Sequence, residues 1–150
     1  MADSSSISYK LSLIAVVLAF TVILLGAYTR LVDAGLGCPD WPGCYGEITP
    51  TTIDNDTANQ AFPERPVEAG KAWREMVHRY VAATLGFAIV LIAWFAWKNR
   101  SAANQPLKIP LLTLAVVIFQ GLLGMWTVTL LLKPVIVMGH LLGGLSTLGL

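Results

Sequence analysis

Four apolar stretches, at about residues 11–28, 77–97, 109–132 and 134–150, decide what this chain can become. Each comes close to the ~20 residues that carry a helix across a hydrocarbon core, the last being the shortest. Lipid offers no partner to a backbone amide or carbonyl, so such stretches fold as helices that satisfy their own backbone. The chain is 55% hydrophobic and 13% charged over 150 residues, with a mean hydropathy of +0.66, too apolar for an ordinary soluble domain. A net charge of +1 without a basic run gives nucleic acid nothing to bind, which leaves membrane lipid as the main partner. The expected fold is an all-α integral membrane protein: one domain over residues 1–150, a four-transmembrane-helix bundle with helices at about 11–29, 74–97, 109–132 and 134–150 and a long outer first loop.

A cleaved signal peptide fits the first stretch poorly. Its apolar region exceeds the usual ~7–15 residues, and Gly26-Ala27-Tyr28-Thr29-Arg30 is no small-x-small cleavage site. The start, Met1 to Lys10, is Ser-rich but lacks arginine, which argues against a mitochondrial transit peptide and for a bacterial or archaeal protein. Lys98, Arg100 and Lys108 crowd the short second connection and Lys10 precedes the first helix, so the N-terminus and that connection are expected in the cytoplasm. The first and third loops then face outward.

The first loop contains Cys38-Pro39-Asp40-Trp41-Pro42-Gly43-Cys44. On the oxidising side of a membrane a disulfide is the leading reading of two cysteines, ahead of a metal site, because two thiols leave tetrahedral zinc short of ligands. Residues 47–68 are polar and read as a solvated connector, with a short interfacial helix near Ala69 to Arg74.

Glu75-Met76-Val77-His78-Arg79 stands at the head of the second apolar stretch. At ~100° per residue Glu75, His78 and Arg79 share one helix face, which continues through Ala82, Gly86 and Ala93 as a strip of small side chains. The fourth stretch repeats this logic with His140 above Gly143, Gly144 and Thr147. In the third, Gln120, Gly124 and Thr127 form a polar and small stripe that reads first as ordinary helix packing. His78 lies five residues past Trp73 and His140 six past Pro134, so at ~1.5 Å per residue both sit roughly 7–9 Å below the outer boundary. Either histidine alone reads as a packing residue; two at one depth, each above a slot, suit the iron of a haem. Haem propionates would then point outward, towards Arg30, Arg74 or Arg79. No Cys-x-x-Cys-His is present, so covalent c-type attachment is excluded. Glu75, one turn above His78, reads either as an interfacial carboxylate paired with Arg74 or Arg79, or as a group that moves protons or stabilises charge at the edge of the macrocycle.

Taken in order, these motifs resemble the haem A synthase family, in its cysteine-containing type. The matching elements are Gly26 to Leu31, Asp33 to Pro42 followed by Cys44-Tyr45-Gly46, the Glu-x-x-His-Arg of Glu75 to Arg79, Gln120 to Gly124 with Thr127-Val128, and His140-Leu141. The resemblance implies a haem-binding four-helix unit with His78 and His140 as paired ligands of the haem iron, Arg30 and Arg79 as further haem-binding residues, Glu75 as the catalytic residue, and a Cys38–Cys44 disulfide. It implies oxidation of a methyl substituent of haem O to the formyl group of haem A, for terminal oxidases, with molecular oxygen and electrons from a partner. The family is built from two such halves, one for substrate haem O and one for a haem b cofactor, and this chain resembles the N-terminal half. A fragment of a longer protein is therefore expected, or else a half-size protein that assembles as a homo-oligomer. An electron donor, a haem O-producing enzyme and residence in the bacterial cytoplasmic (inner) membrane follow from the same resemblance. The competing expectation is a haem-binding electron-transfer or haem-delivery subunit without its own catalysis.

Overall fold

The computed structural model describes residues 4–102 and 105–150. Five α-helices follow one another: α1 (Ser4–Leu31), α2 (Asn55–Ala61), α3 (Ala69–Lys98), α4 (Lys108–Thr129) and α5 (Pro134–Gly149), with a 3₁₀ turn at Pro50–Thr52. No β-strand occurs among the described residues. Residues 103–104 of the Lys98–Lys108 connection, on which the orientation rests in part, and Met1 to Asp3 of the Ser-rich start lie outside the described residues.

Three helices, α1, α3 and α4, are long and apolar enough to cross a membrane, and α5 is a shorter apolar helix. The chain is therefore a multi-pass membrane protein. At ~1.5 Å per residue the 16 residues of α5 extend ~24 Å, less than the ~30 Å hydrocarbon core. Conversely, the 30 residues of α3 extend ~45 Å, so its first turns stand clear of the lipid. The expected interfacial helix near Ala69 to Arg74 is thus the N-terminal end of α3, because nothing between Ala69 and Val77 breaks the helical hydrogen bonds.

The helices meet as α1 with α3, α3 with α4, α4 with α5, and α5 with α1. Among the described residues the backbones of α1 and α4, and of α3 and α5, make no close approach. The four long helices thus form a closed ring in which α3 and α5 occupy opposite corners. Small side chains permit the approach, as expected where lipid supplies no drive for helices to associate. Ala15 and Ala19 of α1 pack with Leu85 and Ile89 of α3 in the inner half.

The loop between α1 and α3 has a core of its own, in which Cys38, Cys44, Tyr45, Ala58, Ala72 and Met76 are buried. Three devices fold it. The Cys38–Cys44 disulfide closes the segment that contains the cis Trp41–Pro42 bond. The Asp40 carboxylate accepts the amides of Tyr45 at 2.6 Å and Gly46 at 2.8 Å, and Cys44 and Glu47 exchange backbone hydrogen bonds across a turn with positive φ at both centres, 56° and 80°. Such a turn asks for glycine, which Gly46 supplies. The connector read as polar and solvated holds α2, capped by Asp54, whose side chain accepts the Thr57 amide. Finally, Gly37 lies so close to the backbone of Lys71 and Ala72 that a Cβ there would stand 2.6 Å from the Lys71 carbonyl carbon.

Candidate functional site

The face shared by Glu75, His78 and Arg79 divides in two. Upward it meets the loop. Glu75 is 5% exposed; its Oε2 accepts the Cys38 amide at 2.9 Å and its Oε1 pairs with the Arg79 guanidinium. Arg79 Nη1 in turn donates to the carbonyls of Asp40 at 3.0 Å, Pro42 at 3.2 Å and Gly43 at 2.6 Å. The pair is therefore the anchor that fastens the disulfide segment to α3. This is the pairing foreseen for an interfacial carboxylate, but buried, so its removal matters more than that of a solvated pair. Arg79, one of three arginines expected to face haem propionates, is committed to the loop. Arg30 and Arg74 are exposed and make no ion pair among the described residues. By helical spacing Arg30 stands one turn above Gly26 on α1, and Arg74 one turn above His78 on α3.

Inward, His78 is seated on α1 at Gly26, where a Cβ would come within 3.0 Å of the ring carbon Cε1. His140 is seated on α4 at Gly124 in the same way, at 3.4 Å. The Nδ1 atom of each ring is buried and without a hydrogen-bond partner. Since α3 and α5 are opposite corners of the ring, the two imidazoles belong to opposite corners of the bundle.

The two seats are built alike. Leu24-Leu25-Gly26-Ala27-Tyr28-Thr29 and Leu122-Leu123-Gly124-Met125-Trp126-Thr127 share Leu-Leu-Gly, an aromatic residue and a threonine at equal spacing. Thr29 Oγ1 donates to the Gly26 carbonyl at 2.8 Å and Thr127 Oγ1 to the Gly124 carbonyl at 2.7 Å. Both helices close on the threonine carbonyl, which accepts the amide five residues on, Ala34 and Leu132 respectively, at 2.8 Å. Exchanging α1 with α4 and α3 with α5 maps the ring of contacts onto itself, so the bundle has an approximate two-fold relation between its halves. Sequence reasoning placed Gly124 and Thr127 in a packing stripe and Gly26 in a helix end. The repeated Leu-Leu-Gly-x-x-Thr was the signal that joins them to the histidines.

No group of three or more His, Cys, Asp or Glu suited to a metal ion occurs among the described residues. Two opposed imidazoles with orphaned buried nitrogens, each against backbone rather than side chain, fit a planar group that brings its own equatorial ligands and needs two axial ones. Cys38 and Cys44 are bonded to each other, as expected, and both are fully buried.

The family model of cytochrome oxidase assembly proteins, COX15-CtaA, matches residues 9–150. The heme A synthase of Shewanella oneidensis is 53% identical over 142 residues, covering 92% of this chain and 42% of the relative. The chain belongs to the haem A synthase family. More distant heme A synthases of Halalkalibacterium halodurans, 31% identical over 69% of this chain, and Sinorhizobium fredii, 32% identical over 73%, agree. The chain spans 42%, 30% and 34% of the lengths of these three relatives. No solved structure matches it.

Proposed function

We propose that this chain is the haem O-holding, N-terminal half of a haem A synthase, in which His78 and His140 ligate the haem iron from opposite corners of a four-helix transmembrane bundle. The observation that carries the reading is the pair of buried, unpartnered imidazole nitrogens, each seated on a glycine of the neighbouring helix. The relatives are named for the making of haem A, so the reaction assigned to the whole protein is oxidation of the haem O methyl group to formyl with molecular oxygen and externally supplied electrons.

The residues of this chain then bind and orient. The glycine seats hold the rings in place, the apolar lower bundle excludes water, and Arg30 and Arg74 are free to meet propionates where Arg79 is not. Arg79 serves the haem indirectly, by fixing the loop above it. Glu75 links that loop to the helix turn that carries His78. For it to move a proton at the porphyrin edge, Arg79 or the Cys38 amide must first let go, since both its oxygens are engaged. The chain has two histidines in all, so a haem b cofactor held by its own histidine pair belongs to the remaining length of the full protein or to a second copy. The N-terminus is placed in the cytoplasm, the membrane is the bacterial inner membrane, and an electron donor and the enzyme that makes haem O are the expected partners.

The test is extraction and identification of the porphyrin bound to the purified chain. Haem O or haem A, lost in His78→Ala and His140→Ala, supports the reading; a preparation with no haem absorption band sinks it. The engagement of both Glu75 oxygens favours a second reading, a haem-holding electron-transfer or delivery unit. The two part on Glu75→Ala in a complete, haem-loaded preparation: haem retained with haem A formation lost supports the enzyme, and unchanged haem A formation supports the delivery unit.

A further inference from the structure

The approximate two-fold relation between the halves poses a problem for any ligand that lacks that symmetry. A porphyrin held between His78 and His140 with its propionates outward has two placements, related by a half-turn about the bundle axis. That turn exchanges its left and right rims and leaves the iron and propionates where they were. The seats on Gly26 and Gly124, built alike and differing only in clearance, 3.0 Å against 3.4 Å, offer no polar group to tell the two apart.

The halves differ one turn below the seats. Counting four residues inward from each glycine gives Val22 on α1 and Gln120 on α4. At one helical turn, ~6 Å, this is the level of the porphyrin's inner rim. Gln120 lies across α5 at Gly143, so tightly that a Cβ at Gly143 would collide with its amide. Its Nε2 is buried and has no hydrogen-bond partner. An amide donor left unpaired in a hydrocarbon setting is costly. The nearby hydroxyls are already spent on their own helices, Thr127 on the Gly124 carbonyl and Thr147 on that of Gly143. Gln120 is thus the polar group with an unspent donor at this level, on one side of the approximate axis only.

We propose that Gln120 decides which way round the porphyrin sits, by donating from Nε2 to a hydroxyl oxygen carried on the inner rim. It is a positioning and specificity residue. This inference rests on the haem reading of His78 and His140. The valine-bearing half receives the apolar rim, and the amide-bearing half the oxygenated one.

The experiment uses the full 150-residue chain in detergent micelles, loaded either with haem O, whose inner rim carries a hydroxyl, or with haem b, whose inner rim carries no oxygen. Proton NMR of the ferric form reads the two placements as two sets of haem-methyl resonances. Wild type with haem O should favour one set by about fivefold to tenfold, the bias of one buried hydrogen bond. Gln120→Val, which copies the α1 half, should bring the two sets close to equality. Haem b should give the same ratio in both proteins. A single dominant set in Gln120→Val overturns the proposal. Should valine prevent loading, Gln120→Met, close to glutamine in length, gives the same readout. A chain that takes up neither haem, or holds both equally well after His78→Ala and His140→Ala, overturns the haem reading itself and this inference with it.

Discussion

The carboxylate of Glu75 accepts the backbone amide of Cys38 at 2.9 Å, across 37 residues of chain. That bond, with the Glu75–Arg79 pair, makes one turn of α3 both the floor of the outer loop and the roof above His78. Its side chains are 7% and 12% exposed, so the pair is not one of the solvated ion pairs that contribute almost nothing. Glu75→Ala leaves a half-buried guanidinium and an unpaired amide, and should destabilise the outer end of the protein by ~3–5 kcal/mol. Glu75→Gln keeps an acceptor for Cys38 and should cost less, ~1–3 kcal/mol. Hydrogen exchange at the Cys38 amide checks the order: faster in the alanine variant than in the glutamine variant, and slowest in wild type.

Much of this arrangement was legible in the residues, for identifiable reasons. Long apolar stretches in lipid have one solution, so the helices and their approximate ends could be read directly. The expectation that His78 and His140 share one depth rests on the fixed rise per residue. What could not be read is the direction of each polar side chain around a shared face. Glu75 and Arg79 turned to the loop because the loop offered an amide and three carbonyls, and those exist only once the disulfide and Asp40 have folded it. The short helix α2 escaped notice because seven residues, five of them polar, carry no periodicity to count, although Asp54 and Thr57 were a cap in plain view. The glycine seats needed a comparison of α1 with α4 rather than a reading of either.

The Cys38–Cys44 disulfide joins residues six apart and lies wholly inside the loop core. Mass spectrometry of protein isolated under thiol blocking should recover the two as a linked pair, and reduction should need a denaturant. Closing so short a loop is worth ~2 kcal/mol in chain entropy. The double variant Cys38→Ser with Cys44→Ser should therefore lower stability by about that amount while the Glu75–Arg79 anchor still holds the segment. Two freely alkylated thiols in the native protein would count against the outward placement of this loop.

Tyr45 gives the loop an alkaline limit. Burial, and then the nearby Glu68 carboxylate, push its phenol above the usual value. Its hydroxyl lies 3.2 Å from the carbonyls of both Arg65 and Pro66 and donates to them, and its ring meets Phe62 edge-on at 5.6 Å. A raised pKa in the folded state means that the neutral phenol is favoured by folding. The stabilisation is complete below the unfolded value, near pH 10, and is lost as pH rises through the folded one. Loop protection should fall in that window. Tyr45→Phe should remove the alkaline step and cost ~1 kcal/mol below it. Hydrogen exchange of the loop amides against pH follows both; a Tyr45→Phe protein with an unchanged alkaline step would count against the assignment.

Gly26 and Gly124 separate a seat that is filled from one with a little room. Alanine at either position favours the helix by about 1 kcal/mol over glycine, before contacts are counted. At Gly124 the new Cβ would meet His140 Cε1 at 3.4 Å, close to ordinary contact, so Gly124→Ala should be neutral or mildly stabilising and should leave the ring where it is. At Gly26 the distance to His78 Cε1 is 3.0 Å, and the ring, held between α1 and α3, has to move by a few tenths of an ångström. A core side chain forced from its place typically costs ~1–3 kcal/mol, so Gly26→Ala should lose the helix gain and more. If His78 ligates a haem, the same displacement tilts one axial ligand and not the other. Electron paramagnetic resonance of the ferric haem form should then shift its principal g values in Gly26→Ala and leave them unchanged in Gly124→Ala. Equal shifts in both, or none in either, would mean that the rings are not positioned by these glycines.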